Sequence, residues 1–116
     1  LEVINSHGGA MGETYGVPVE EIVEGIKNGV RKVNIDTDLR MASTGSIRKH
    51  LADNASNFDP RKFLKESTKG MMEICKARFE AFGSAGHASK IKPINLDDMV
   101  TRYASGELDQ KVTKAA

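Results

Sequence analysis

Val33-Asn34-Ile35-Asp36-Thr37-Asp38 is the stretch that decides the fold of this 116-residue sequence. Together with Val30, the residues Lys32 to Ile35 form a short β-branched run that follows Gly29, which predicts a strand. Asp36, Thr37 and Asp38 are residue types that favour a helix N-cap, and a helical pattern begins directly after them. The stretch therefore predicts a strand that turns straight into a helix.

The start of a helix that follows a strand so closely is suited to an anion. Its first backbone N–H groups have no acceptor within the helix, and the helix dipole makes that end partly positive. A phosphate is the usual ligand of such a position. Asp36 and Asp38 would repel a phosphate if they pointed at it, so the backbone must hold it, and Thr37 can add a hydroxyl donor.

The polar residues of this stretch have two possible roles. Asn34 ends the predicted strand, where its side-chain amide can donate to a developing oxyanion. Asp36 can accept from a substrate hydroxyl or cap the helix. All of these residues are equally typical of ordinary turns and caps. The local pattern alone does not choose between a binding site and a structural junction.

The sequence from residue 33 to 38 resembles the motif on the eighth strand of the class II, metal-dependent fructose-1,6-bisphosphate aldolases. Further segments resemble the C-terminal third of the same family, in its Calvin-cycle-type subgroup, and occur in the same order. These segments are ETYGVPVEEI at residues 13–22, FDPR at 58–61, EICKARFEAFG at 73–83 and ASKIKPI at 88–94. The resemblance covers nearly the whole chain.

The resemblance implies an α/β fold in which residues 1–116 are the C-terminal portion of a (β/α)8 TIM barrel. They would supply the last strand and helix plus C-terminal helices, so the segment is mostly helical as a fragment. The predicted order of helix, strand and helix agrees with a barrel. A lone strand leaves its ladder hydrogen bonds unmade, and it needs neighbours that this sequence lacks. We therefore expect the segment to be one part of a larger domain.

The activity that the resemblance implies is reversible cleavage of fructose 1,6-bisphosphate to dihydroxyacetone phosphate and glyceraldehyde 3-phosphate, by an aldehyde-lyase. In the family, a zinc ion held by histidines polarises the ketone. None of those histidines matches a position here, and we expect the zinc ligands upstream of this chain. The isolated segment is expected to bind no zinc tightly and to be inactive. Close alternatives are tagatose-bisphosphate aldolase and, in another class, a non-enzymatic helical module for oligomerisation.

The site residues are carried over from the matching motifs. Asn34 would lie near the enediolate oxygens as a catalytic residue, and Ile35, Asp36 and Thr37 would bind dihydroxyacetone phosphate. Arg61, from the Asp-Pro-Arg motif, would bind the other phosphate through its bidentate fork, and in the family this arginine can serve a neighbouring subunit. Without the resemblance, Arg61 is an ordinary solvated charge. A homodimer or homotetramer is implied.

The histidines are predicted to be structural or surface residues. His7 precedes two glycines in a way that is similar to the family's zinc-binding His-Gly segment, but its distance from the next helix is too long. We expect His7 to end a helix or lie at the surface. His50 and His87 sit in polar surroundings without a partner at metal-ligand spacing, and both are predicted to be surface residues. No metal ligand is assigned.

Further helices are predicted along the chain. Pro18 opens one before the strand, and another runs from the junction to about Asn54, with small residues at 43–46 that indicate close packing. The longest, 60–82, carries an apolar stripe at core or subunit-interface spacing; its members are Leu64, Met71, Cys75, Phe79 and Phe82. Asn95 caps a short helix over 96–104, and a polar tail follows from Ser105.

Composition agrees with an ordinary globular protein. Apolar residues make up 39% and charged residues 28% of the chain. The balance of 17 Lys+Arg against 16 Asp+Glu gives no basic excess for nucleic acid. A single Cys75 cannot form an internal disulfide, and no apolar run reaches the length of a membrane span. We expect no membrane partner, and the cytoplasm is the expected compartment.

Overall fold

The structure, a computed structural model, describes residues 1–14 and 16–109. Its helices are α1 (Glu2–Ser6), α2 (Val19–Lys27), α3 (Thr37–Asp53), α4 (Pro60–Ala81) and α5 (Leu96–Ala104), with a 3₁₀ helix at Ala88–Lys90. These bounds confirm the predicted helices to within a few residues. Tyr15, which belongs to a matching motif, and the end of the predicted polar tail at 110–116 lie outside the described residues.

The predicted strand is not formed. The described residues contain no strand, and the segment between α2 and α3 is irregular from residue 28 to 36. The physical reason is that a strand exists only beside a partner that completes its ladder. No other extended segment in the described part of the chain supplies one. The prediction of a mostly helical segment is therefore confirmed, while the strand predicted within it is absent from the described residues.

Helices α3 and α4 pack against each other in opposite directions. Asp38 near the start of α3 contacts Arg78 near the end of α4, and the hydroxyls of Ser43 and Ser67 lie 2.7 Å apart. The helices approach closely at Gly70, where a Cβ atom would lie 2.3 Å from the Ser46 hydroxyl. Of the small residues predicted to allow close packing, Ser43 and Ser46 line this contact, whereas Gly45 faces α1 and Thr44 is exposed.

Helix α1 covers part of α3, and its Ile4 is only 2% exposed. The apolar stripe predicted on α4 is less buried than a core would be, because Leu64 and Phe79 are 51% and 57% exposed. The residues of α4 that contact α3 include Ser67 and Gly70. They belong to the row next to the predicted apolar stripe. Hydrophobic burial within the described residues is therefore small.

The chain divides into two compact units, Leu1–Ala85 and Gly86–Ala116. The described part of the second unit contains α5, whose N-cap Asn95 accepts a hydrogen bond from the Asp98 amide at 2.8 Å, as predicted. Met99 on α5 is half-buried, whereas Val100 and Tyr103 are exposed. Among the described residues, no helix has the length and apolar character needed to cross a membrane.

Candidate functional site

A cavity of about 520 Å³ lies in the first unit, between α2, the irregular segment and the start of α3. Residues 32–38 all line it, together with Ile22 and Gly25 of α2 and Arg78 of α4. The structure therefore brings four of the predicted site residues to one cavity: Asn34, Ile35, Asp36 and Thr37.

Two of these residues present donors that nothing in the described chain uses. Asn34 is exposed, and its side-chain amide makes no hydrogen bond to another described residue. Thr37, also exposed, is the first residue of α3, so its amide has no acceptor within the helix. The cavity is therefore lined by an amide, a hydroxyl and a helix start, all of which are able to donate.

Asp36 occupies the N-cap position of α3 but does not cap the helix with its side chain. Its carboxylate turns instead to Arg40, one helical turn further on, whose Nε donates to Oδ1 at 2.9 Å. The Arg40 Nη2 donates to the other carboxylate oxygen. As a result, no described side chain accepts from the first-turn amides of α3, and they remain able to bind an anion.

Asp38 is paired as well. Its Oδ2 accepts a hydrogen bond from Arg78 Nη2 at 2.6 Å, across the contact between α3 and α4. Each carboxylate of the junction thus has a guanidinium partner, and the repulsion that the sequence alone suggested toward a phosphate is reduced. The sequence analysis missed both arginines. Arg40 could have been found from its spacing of four residues, whereas Arg78, forty residues away, carries no local signal.

Arg61 lies away from this cavity, in the first turn of α4. Its guanidinium is 89% exposed and binds Asp59, with Nη2 2.7 Å from Oδ2. Asp59 also caps α4, because its Oδ1 accepts from the Arg61 amide at 3.0 Å. These hydrogen bonds lower the pKa of Asp59 and raise the pKa of Arg61. Arg61 therefore keeps its positive charge at any physiological pH.

The geometry separates Arg61 from the other predicted site residues. Arg78 and Arg61 are seventeen residues apart on α4, which corresponds to roughly 25 Å of helix. Because Arg78 lies at the cavity and α4 is a single helix, Arg61 lies about that far from the junction. The structure does not bring Arg61 to the same site within one chain.

The histidines are distributed over the surface and the helix ends. His7 is the C-cap residue of α1, in agreement with the prediction that it ends a helix. His87 is exposed. His50 is only partly exposed, and its Nε2 lies 2.6 Å from the Asn57 amide. In residues 1–14 and 16–109, no group of three His, Cys, Asp or Glu side chains is placed to hold a metal ion.

Comparison with known proteins shows the family to which the chain belongs. The family model "Fructose-bisphosphate aldolase class-II" matches residues 4–87. The chain belongs to this family.

Individual relatives agree with the family match. The chain is 69% identical over 112 residues to "Fructose-bisphosphate aldolase" of Stutzerimonas stutzeri, which covers 97% of this chain and 32% of that relative. It is 64% identical over 110 residues to "Fructose-bisphosphate aldolase 2" of Rhodobacter capsulatus, covering 95% of this chain and 96% of that relative. The chain thus spans about a third of the length of the Stutzerimonas relative, and of the Pseudomonas aeruginosa relative with 68% identity.

Proposed function

We propose that this segment belongs to an enzyme that reversibly cleaves fructose 1,6-bisphosphate to dihydroxyacetone phosphate and glyceraldehyde 3-phosphate. The observation that carries the proposal is the position of residues 34–37, which line one cavity at an uncapped helix start in a chain of the class II aldolase family. The ligand that fits this cavity is the phosphate of dihydroxyacetone phosphate, held by the first-turn amides of α3 and the Thr37 hydroxyl.

Asn34 is proposed as the catalytic residue of the segment. Its exposed amide, next to the phosphate position, would donate to the enediolate oxygens of the substrate as negative charge develops there. Ile35 and Asp36 would contact the same half of the substrate, Ile35 through its backbone and Asp36 close to a substrate hydroxyl. The described residues do not fit the zinc ion that the family resemblance implies, so no proposed step uses a metal held by them.

Arg61 is proposed to bind the second phosphate of the sugar in a neighbouring copy of the chain. Its separation of roughly 25 Å from the junction exceeds what a six-carbon sugar bisphosphate can span. Its guanidinium is 89% exposed and therefore accessible to another subunit. A homodimer or homotetramer in which α4 of one copy approaches the α3 junction of another would complete the site.

The same proposal places Val30 and residues 32–35 in the last strand of a TIM barrel, with residues 1–116 as part of that single domain and the cytoplasm as its compartment. Support comes from family membership and from the irregular backbone of this segment, which lies between two helices in barrel order. In a barrel, the neighbouring strands would supply the ladder hydrogen bonds that the segment lacks here.

The direct test is cleavage of fructose 1,6-bisphosphate by the full-length protein that carries this segment. Wild type is compared with Asn34→Ala and Arg61→Ala, with and without a chelator. Loss of rate in both variants and in the chelated wild type is expected. Wild-type rates in both variants would contradict the site assignment. Tagatose 1,6-bisphosphate, assayed in parallel, should be cleaved more slowly, and a faster rate would favour the alternative aldolase.

The shared site has its own test. When the Asn34→Ala and Arg61→Ala proteins are mixed and allowed to reassemble, a hybrid contains one site with an intact Asn34 and an intact Arg61 from the neighbouring copy. Activity should therefore recover in the mixture. If both residues acted within one chain, every site in the hybrid would lack one of them, and the mixture would stay inactive.

A further inference from the structure

The ion pair between Asp38 and Arg78 differs from the others in the described part of the chain. All the other pairs join residues at most five positions apart, and most are largely exposed to solvent. Asp38 and Arg78 are forty residues apart, and their side chains are 39% and 20% exposed. Charges that are partly removed from water interact more strongly than exposed ones.

Arg78 also occupies a position that no other described residue shares. Besides the 520 Å³ cavity at the junction, it lines two neighbouring cavities of about 430 and 310 Å³. Its only side-chain hydrogen bond to a described residue is the one that Nη2 donates to Asp38. The Arg78 guanidinium therefore lies next to the first turn of α3, where it is paired with the Asp38 carboxylate.

We propose that Arg78 is a positioning residue for the substrate phosphate: it holds the Asp38 carboxylate in an ion pair and so keeps an unpaired negative charge away from the phosphate position. This inference rests on the proposed function. The charge of Asp36 depends less on its ion pair, because the Asp36 and Arg40 side chains are 66% and 77% exposed and water screens the carboxylate. Asp38 is less exposed, and without Arg78 it would face a phosphate dianion at short range.

The proposal predicts an asymmetry between the two partners. In the full-length enzyme, Arg78→Met should raise KM for fructose 1,6-bisphosphate about tenfold, because two like charges then lie close in a partly dry site. The value of kcat should change by no more than about twofold, since the reacting carbons are elsewhere. Asp38→Asn, which removes the charge and keeps the shape, should not raise KM.

The double variant decides how Arg78 acts. Asp38→Asn combined with Arg78→Met should restore KM to near the wild-type value, because no unpaired carboxylate remains. A purely structural pair would leave the double variant no better than Arg78→Met, and so would direct contact between Arg78 and the phosphate. Either result overturns the proposal. Wild-type KM in Arg78→Met overturns it too.

Two controls separate this inference from the proposed function. Arg102→Met removes an arginine whose partner, Glu107, is local, and it should leave KM unchanged. Thr37→Val tests the phosphate site itself and should raise KM. If Thr37→Val has no effect, the phosphate site and the role of Arg78 both fail. If Thr37→Val raises KM and Arg78→Met does not, only the role of Arg78 fails.

Discussion

The starts of α3 and α4 carry the same N-cap residue and are used differently. Asp59 caps α4 and binds the guanidinium of Arg61. The start of α4 is therefore closed, in the sense that a neighbouring side chain already accepts from a first-turn amide. Asp36 leaves the amides of α3 open and pairs with Arg40 instead. An aspartate at a helix start therefore caps the helix in one case and leaves the first-turn amides without a side-chain cap in the other.

The two aspartates differ in backbone conformation. Asp59 precedes Pro60, and a residue before proline is pushed into extended conformation. Its ψ of 113° places the carboxylate over the next amides, as a cap requires. Asp36 precedes Thr37 and has ψ −57°, outside the extended region typical of caps. Its side chain makes no capping hydrogen bond to the amides of its own helix.

The largest expected effect lies at the open helix start. Asn34→Ala in the full-length enzyme should lower kcat for fructose 1,6-bisphosphate by roughly 100- to 1000-fold, as loss of an oxyanion donor does elsewhere. KM should change little. Asn57→Ala, at the start of the other helix, serves as the matched control and should keep wild-type kcat. Equal rates for Asn34→Ala and wild type would mean that the open junction is structural.

At the closed helix start, the expected effect is on binding. Arg61→Ala should lower kcat/KM for fructose 1,6-bisphosphate roughly 10- to 100-fold, the value of a charge-assisted hydrogen bond. Arg61→Lys should recover only part of this loss, because lysine lacks the bidentate fork. Steady-state kinetics distinguish the variants. Full recovery in Arg61→Lys would show that only the charge at this position matters.

Thr37→Pro should make the open helix start resemble the closed one. Proline is tolerated at the first helical position, and it should push Asp36 toward the extended conformation of a cap. With the Thr37 donors removed, KM should rise by about tenfold while helix content by circular dichroism is unchanged. Thr37→Ser keeps the donors and should behave like wild type. An unchanged KM in Thr37→Pro would argue against phosphate at α3.

The smallest effect is on the pH dependence of stability. The pKa of Asp59 in the folded protein lies below its ordinary value of 3.8, mainly because Arg61 donates to its carboxylate. The resulting stabilisation is present above that ordinary value and is lost as pH falls through the lowered pKa. Asp59→Asn keeps a capping side chain but removes the charge. Urea unfolding should therefore show a slightly less stable variant at pH 7, with the difference lost as the pH falls through the lowered pKa of Asp59.

Local patterns in the sequence were enough to predict the helices. Asp59-Pro60 and Asn95 are start signals that act within one turn, and the structure places helices directly after both. The strand at 30 and 32–35 could not be judged in this way, because strand formation depends on a partner elsewhere. The face of α4 that packs against α3 could not be predicted locally either. Its apolar stripe is regular, but α3 packs against the neighbouring row of residues, which includes Ser67 and Gly70.

The candidate site was predictable only in part. Residues 34–37 are contiguous, so a motif could indicate that they share one cavity, and they do. The conformation of Asp36 was not predictable from residue type, since both a cap and an open start fit an aspartate. Arg78 reaches the cavity through the antiparallel packing of α3 and α4, a contact between residues forty positions apart. Such a contact leaves no trace in local spacing.

The most direct test uses a substrate that lacks one phosphate. Fructose 1-phosphate keeps the phosphate assigned to the α3 junction and lacks the one assigned to Arg61. The full-length enzyme should show kcat/KM values for fructose 1-phosphate that Arg61→Ala leaves unchanged and Thr37→Pro lowers, while both variants impair fructose 1,6-bisphosphate cleavage. If Arg61→Ala impaired both substrates equally, or Thr37→Pro impaired neither, the assignment of the two phosphates to the two helix starts would be contradicted.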